Sequence, residues 1–307
     1  MFTCLTLRVK AVFQIFFLIL LSLPYTTGFC ADQQDSSPAG EERSISLHSL
    51  RDWNTQFSFG LLPSANLRGT NASVEISDYR FRLNRNFRLD SRTTLTAGGA
   101  YALKHIHASS GAGLPQDLHS LLLETGVDYR INERSFVGLK LFPGFYSDFG
   151  NIGSDDVRMP VFSLGGYSFD NGLTLLGGFI YRVGYHSAPF IPVVGLTYQP
   201  GPHWRFDLAA PRPGVTYIPS KHFRLFLAGD FASDEYELKD RSSGAKALRY
   251  SDYKVMGGVE YMPVAEISLT GAIGYAFDRG FKFYDGTRGN IRIDDAPFIK
   301  FSLNAGW

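Results

Sequence analysis

The sequence predicts an all-β fold: an antiparallel up-and-down transmembrane β-barrel of about fourteen strands. Three observations carry that expectation. Apolar and polar residues alternate through segment after segment from Trp53 onward, and no stretch after the leader sustains a 3.6-residue apolar period for three turns. The connections sort into short turns framed by aromatic residues and longer loops rich in Gly, Ser and Asp. No apolar run of 18 or more residues follows the leader, so no helix is available to cross a bilayer. In lipid every unpaired backbone group costs several kcal/mol, which leaves a closed sheet as the remaining way to span.

The leader comes first. Arg8 and Lys10 form a basic start, Ala11 to Leu23 is apolar, and Pro24 with small polar residues follows. That is the plan of a secretory signal peptide over residues 1–31, with Gly28, Cys30 and Ala31 near the cleavage point. Cys4 and Cys30 are the only cysteines, so cleavage after either Cys30 or Ala31 leaves a mature chain with none. Residues 32–52 begin DQQDSSPAGEER and read as a polar leader without a core of its own. The barrel is expected over 53–307.

Its strands follow in order. NTQFSFGLL sets Phe57, Phe59 and Leu61 on one face, and SDYRFRLN sets Tyr79, Phe81 and Leu83 against Arg80 and Arg82. TTLTAGGAYALK, DLHSLLLETGVDYRI, SFVGLKLFPGFYSDF, VRMPVFSLGGYSF, LTLLGGFIYRVGY and FIPVVGLTY continue the pattern. HWRFDLA and GVTYI are short, and without them the count falls to 12. FRLFLAGDFAS, DYKVMGGVEYM and EISLTGAIGYAFDRGFKFY lead to PFIKFSLNAGW. In that last strand Ile299, Phe301, Leu303, Ala305 and Trp307 share one face, and it is expected to pair with the first strand so that no edge remains.

Five turns, YRINERSF, SFDNGLTL, YQPGPHWRF, YIPSKHFRL and YMPVAEISL, place Tyr129, Phe136, Phe169, Tyr198, Trp204, Tyr217, Phe223 and Tyr261 near one end of the sheet. The loops HASSGAGLPQD, GNIGSDDVR, LKDRSSGAKALR and DGTRGNIRIDDA fall at the other. A sandwich has no reason to sort its connections this way. The GG pairs beginning at 98, 165, 177 and 257 lie inside strands, where they serve close packing, bends or bulges.

The stretch from Asp156 to Phe231 carries a resemblance. Its best-marked parts are P-x-x-G-x-x-Y-x-P-x-x-x-W-R-x-D-L, Pro192 to Leu208, and PRPGVTY, Pro211 to Tyr217. Through them the chain resembles an uncharacterised family of predicted Gram-negative outer-membrane β-barrels, a domain of unknown function. The resemblance implies architecture and an outer-membrane location; it supplies no activity and no functional residues. The C-terminal pattern likewise resembles the strand read by the outer-membrane assembly machinery, with Phe301, Leu303 and Trp307 as the assembly signal and that machinery as a partner alongside the membrane lipids.

Opposite the apolar stripes stand Glu124, Asp128, Arg130, Lys140, Arg182, Arg205, Asp207, Arg224, Asp230, Lys254, Glu260, Asp278 and Lys300. Arg or Lys on the lipid face at mid-bilayer would cost about 2–4 kcal/mol each, so these residues are expected to line the lumen. Their signs are evenly mixed. In one reading they tune a water-filled pore that passes small solutes. In the other they pair across a narrow lumen and hold a non-conducting, structural or loop-presenting barrel together. Arg205 and Asp207, beside Pro211 and Pro213, form either an inward constriction or a short hairpin with a stiff tip.

Other chemistries are thinly supported. The chain carries 30 Lys+Arg and 29 Asp+Glu, and removing Arg8 and Lys10 leaves 28 against 29, so no basic excess points to nucleic acid. His105, His107 and His119 share a face, but solvated loop histidines are the commoner use of such a pattern, and no metal or other cofactor is called for. A lipid hydrolase would need a serine near His119. Ser120 points to the opposite face, Ser109 and Ser110 lie in the following loop, and there is no G-x-S-x-G elbow and no third group to orient a base. The expectation is therefore a porin-like barrel that is not an enzyme.

Overall fold

A computed structural model describes residues 52–187, 189–209, 212–240 and 243–307. The expected signal peptide, and all of the polar leader except Asp52, lie outside the described residues. The strands are β1 (Trp53–Asn66), β2 (Ser73–Arg88), β3 (Thr93–Ala108), β4 (Asp117–Arg130), β5 (Ser135–Leu141), β6 (Gly144–Ser147), β7 (Val157–Ser168) and β8 (Leu173–Val183). They continue as β9 (Phe190–Tyr198), β10 (Trp204–Asp207), β11 (Gly214–Ser220), β12 (Phe223–Glu237), β13 (Ala247–Val264), β14 (Ile267–Tyr284), β15 (Ile291–Ile293) and β16 (Ala296–Gly306). All belong to one sheet.

Sixteen segments make fourteen staves. β5 and β6 both pair with β4 and with β7, so they are two halves of one stave, interrupted at Phe142 and Pro143. Proline has no N–H to give the ladder, and a break there is its usual consequence. β15 and β16 both pair with β14 and form another interrupted stave, broken at Asp294 and Asp295. Neighbours in sequence are neighbours in the ring, and the short β10 and β11 are true staves, so the count is the larger of the two expected.

The ring closes where the first and last strands meet. β1 and β16 run antiparallel with Phe57 opposite Leu303 and Phe59 opposite Phe301. Trp53 and Trp307 then exchange backbone hydrogen bonds of 2.8 and 3.1 Å. Closure satisfies the edge groups that lipid could not.

The apolar stripes face outward. Phe57, Phe81, Leu121, Leu123, Val194, Leu227, Ile273, Ile299, Phe301 and Leu303 are all exposed, while Leu62, Val74, Ile76, Ala100, Leu122 and Phe298 are buried inside. The aromatic end is also present: Trp204 lies 4.8 Å from Tyr217 and Phe223 lies 4.9 Å from Tyr261, ring centre to ring centre. Phe136 differs from its companions. Its ring turns inward over Gly166, where any Cβ would collide with it. The strand-interior glycines serve close approach, as at Gly98, whose added Cβ would strike the backbone of Leu83 and Asn84.

One strand departs from the barrel plan. The lower part of β12 alternates normally, with Leu225 and Leu227 exposed. Above Ala228 nearly every residue is buried on both faces. β12 parts from β11 after the pairing of Ala228 with Gly214, turns into the lumen with β13 still in register beside it, and ends with Glu237 opposite Ser147 of β6. The upper β12–β13 hairpin is thus a septum reaching from one wall to a stave far round the ring. On its near side an apolar core of Leu62, Ile76, Ile106, Leu122, Tyr236, Leu248, Phe281 and Phe298 fills the long-loop half of the barrel. On its far side a smaller cluster joins Phe231 to Ile180, Ile191 and Val193.

Candidate functional site: the charged lumen and its septum

Pairing between staves that are not neighbours can occur only through the interior, and the described residues provide several such pairs. Arg80 of β2 reaches Asp234 of the septum at 3.8 Å. Lys300 of β16 and Arg212 of the β10–β11 connection both reach Asp230 at 3.5 Å. Within one stave or between adjacent ones, Asp78 holds Lys104 at 2.7 Å and Arg80 at 3.1 Å, and Lys254 holds Asp252 at 2.7 Å. Arg82 grips Glu124 through two nitrogens, one at 2.7 Å, and Asn84 adds a third hydrogen bond at 3.2 Å. Desolvated charges survive only when paired in this way.

Below the septum the charges border a cavity of about 110 Å³. Gln56, Ser58, Asp78, Arg80, Asp230 and Lys300 are among its lining residues. It sits at mid-barrel between opposite charges, with the apolar core above it. Phe226, Phe231, Met256 and Phe298 line it as well, so paired charges and apolar side chains together enclose a space large enough for a few waters.

Twelve of the thirteen residues singled out in the sequence have side chains that turn inward or are at least half-buried. Glu124, Arg182, Arg224 and Glu260 are buried, with Arg224 and Glu260 3.3 Å apart. Asp230, Lys254 and Lys300 meet in the cross-lumen network. Asp128, Arg130 and Lys140 lie nearer the short-turn end, with Asp128 against Gly138 and Lys140 against Gly126. Arg205 and Asp207 pair with each other at 3.0 Å on β10. β10 and β11 form a short hairpin, and it is Arg212 at its tip, not Arg205, that reaches the lumen charges. Asp278 corrects its expectation. A bulge between β13 and β14 gives it a φ of 50° and leaves it exposed, and Arg279 takes the inward place at 1 % exposure.

Strict alternation would have found Asp78, Arg80, Arg82, Lys104, Arg158 and Asp252, which the structure brings inside. Glu235, Glu237 and Arg249 carried no such signal. Glu235 and Glu237 fall between the expected strand and the expected loop, Arg249 is that loop's last residue, and only the septum gathers them.

The histidines do other work. His105 Nδ1 lies 2.7 Å from Asp117, and His119 Nδ1 lies 2.8 Å from the Tyr101 hydroxyl with its ring stacked on Phe149. Ser109 bonds Ser73. Among the described residues no group of three or more metal-binding side chains forms. Above the septum His186 bridges Glu235 at 2.8 Å and Asp285 at 3.1 Å and stacks on Tyr284. Burial opposes its charge, but the two carboxylates outweigh that and raise its pKa above the usual imidazole value.

The barrel, the inward charges and the matched residues 67–304 now stand together. The chain belongs to the family described as Domain of unknown function (DUF6268). No curated protein matches it. Among solved structures it is similar to an outer membrane channel from Pseudomonas putida F1, with 13% identity, 83% of this chain and 94% of that one covered, and a TM-score of 0.47. A FadL homologue from Pseudomonas aeruginosa gives 9% identity, 83% and 90% coverage and a TM-score of 0.43. The translocator domain of the autotransporter NalP from Neisseria meningitidis gives 10%, 85% and 90%, and 0.37. These likenesses are of barrel to barrel.

Proposed function

We propose that this protein is an outer-membrane channel of Gram-negative bacteria, exported by its leader, that passes small polar solutes through a narrow lumen. The observation that carries the reading is the mid-barrel cavity between Asp78, Arg80, Asp230 and Lys300. A barrel built only as a scaffold gains little from burying so many charges, because apolar side chains of similar volume hold a core as well or better. Opposed charges along a passage select among solutes by sign and polarity. Above the cavity the septum and its apolar core shut the passage, so conduction requires the upper β12–β13 hairpin to move.

A second reading has an observation of its own. The apolar filling of the long-loop half is what a non-conducting barrel would use to stay rigid. Single-channel recording of the refolded protein in a planar bilayer, with reversal potentials in a salt gradient, separates the two. The channel reading expects brief, small, discrete steps, with the sign of the potential reporting which lumen charge dominates. Persistent silence in protein shown to be folded and inserted supports the rigid barrel instead.

A further inference from the structure

The outer wall carries a group of residues that neither lipid contact nor the lumen explains. Along β3 the outward side chains include Leu95, Tyr101 and Leu103, followed by His105 and His107. On β4, exposed Leu123 and Leu121 lie below His119 and Asp117. The apolar band therefore ends at Leu103 and Leu121. The outward positions above it stand where acyl chains give way to headgroups.

At that level three adjacent strands bring Ser77, His105 and Asp117 into one row. Ser77 of β2 is opposite His105 of β3, and His105 is opposite Asp117 of β4. All three point outward, because Ile76, Lys104, Ile106 and Leu118 beside them are buried on the inner side. His105 Nδ1 lies 2.7 Å from Asp117 Oδ1. The carboxylate accepts from Nδ1–H, which leaves Nε2 to act as a base, and Nε2 has no partner among the described residues. Each side chain of this pair is 38% exposed, so the contact does little for stability. Ser77 and His105 form a hydrogen-bonded ladder pair, four residues along from Ser73 and Ser109, where the Ser109 amide donates to the Ser73 carbonyl at 2.9 Å. Directly opposed Cβ atoms are about 4.5–5.5 Å apart, so rotation about one bond brings the Ser77 hydroxyl within reach of the imidazole. No other described side chain holds that hydroxyl. The sequence pointed instead to His119, with no serine on its face and no group to orient a base; strand register supplies both for His105.

We propose that Ser77, His105 and Asp117 form a hydrolytic site for acyl esters of the surrounding lipid. Ser77 Oγ attacks the ester carbonyl carbon and gives its proton to His105 Nε2. The bond from that carbon to the alcohol oxygen breaks, and the departing alcohol takes the proton from His105. Water at headgroup level then attacks the acyl-serine, again through Nε2, releasing a fatty acid and restoring the serine. Asp117 acts through His105 and is a positioning residue. The ladder uses the backbone N–H groups of these strands, so the donor to the carbonyl oxygen must be a side chain. His107, two residues beyond His105 on the same face and diagonal to Ser77, takes that place. The site lies on the outer wall and does not depend on whether the lumen conducts.

Two readouts test it on the refolded barrel in vesicles of phosphatidylethanolamine and phosphatidylglycerol. One is release of free fatty acid. The other is covalent capture by an alkyl fluorophosphonate, from which a nucleophilic serine displaces fluoride, with the adduct located by mass spectrometry. Fatty acid is expected to accumulate, and the adduct is expected on Ser77. Ser77→Ala should abolish both. His105→Gln and Asp117→Ala should each lower both by about a hundredfold or more. Asp117→Glu restores a carboxylate and should recover part of that loss. Ser109→Ala, in the loop after β3, should leave both unchanged. Heat-modifiable migration shows whether each variant is folded, and the adduct on the native protein needs no variant. The absence of an adduct on Ser77, or release that persists in Ser77→Ala, overturns the site. An adduct on Ser77 without release of fatty acid overturns lipid esters as its substrate.

Discussion

Arg82 and Glu124 show what holds the lumen at the scale of single residues. They are two staves apart, both buried, and Glu124 accepts from Arg82 and from Asn84. Removing one partner strands the other charge in a dry interior. Glu124→Ala is expected to lower stability by about 3–5 kcal/mol, read by urea unfolding of the barrel in liposomes. Arg82→Met combined with Glu124→Leu should recover most of that loss, since nothing charged is then left alone. A single variant as stable as the native barrel would show that water, and not Arg82, satisfies Glu124. Much of this was legible in the sequence, because Arg80 and Arg82 alternate with Tyr79, Phe81 and Leu83 and so must turn away from lipid. The partners were not. Alternation fixes a face but not which stave lies across the lumen. At Asp278 even the face fails, because one bulged residue reverses the parity.

At the scale of elements, β12 is where pattern reading ran out. FRLFLAGDFAS reads as a strand ending at Ser233 and the expected loop begins at Leu238, so Asp234 to Glu237 belong to neither. The structure continues the strand to Glu237, since both faces are covered by protein and each charge there has a neighbouring element to meet. The connection between β8 and β9 closes over this septum through His186. Its imidazole meets Glu235 on one side, Asp285 on the other and the Tyr284 ring above. Its raised pKa fixes the sign of a pH effect: the contact is at full strength below the ordinary imidazole value of 6.5 and is lost as pH rises through the higher folded value. The His186 amide, which donates to Glu235 at 2.8 Å, reports it. After correction for the intrinsic exchange rate, its protection should fall across that window in the native protein. In His186→Gln it should stay level, and a native profile that is also level would show that the bridge does not depend on imidazole charge.

For the whole molecule, fourteen staves enclose two kinds of interior. The short-turn half is polar and holds the cavity. The long-loop half is crossed by the septum and filled with apolar side chains. Outer face, closure and sorting of connections followed from alternation and turn chemistry. The division of the lumen did not, since it depends on how far β10 and β11 fall short of β12, and strand length along a shared wall is not written in any one segment. The division has a consequence for transport. If the septum is what shuts the passage, fixing its far end to the wall should abolish conduction reversibly. Ser147 and Glu237 are opposite one another in neighbouring strands, a separation a disulfide can span. With the leader removed the chain supplies no competing cysteine. The double variant Ser147→Cys with Glu237→Cys should record silent in a planar bilayer when oxidised and recover discrete steps when reductant is added. The single variants should respond to neither treatment. Equal conductance before and after reduction, in protein whose crosslink is confirmed by mass, would mean that solutes pass without moving the hairpin and that the gate lies elsewhere in the lumen.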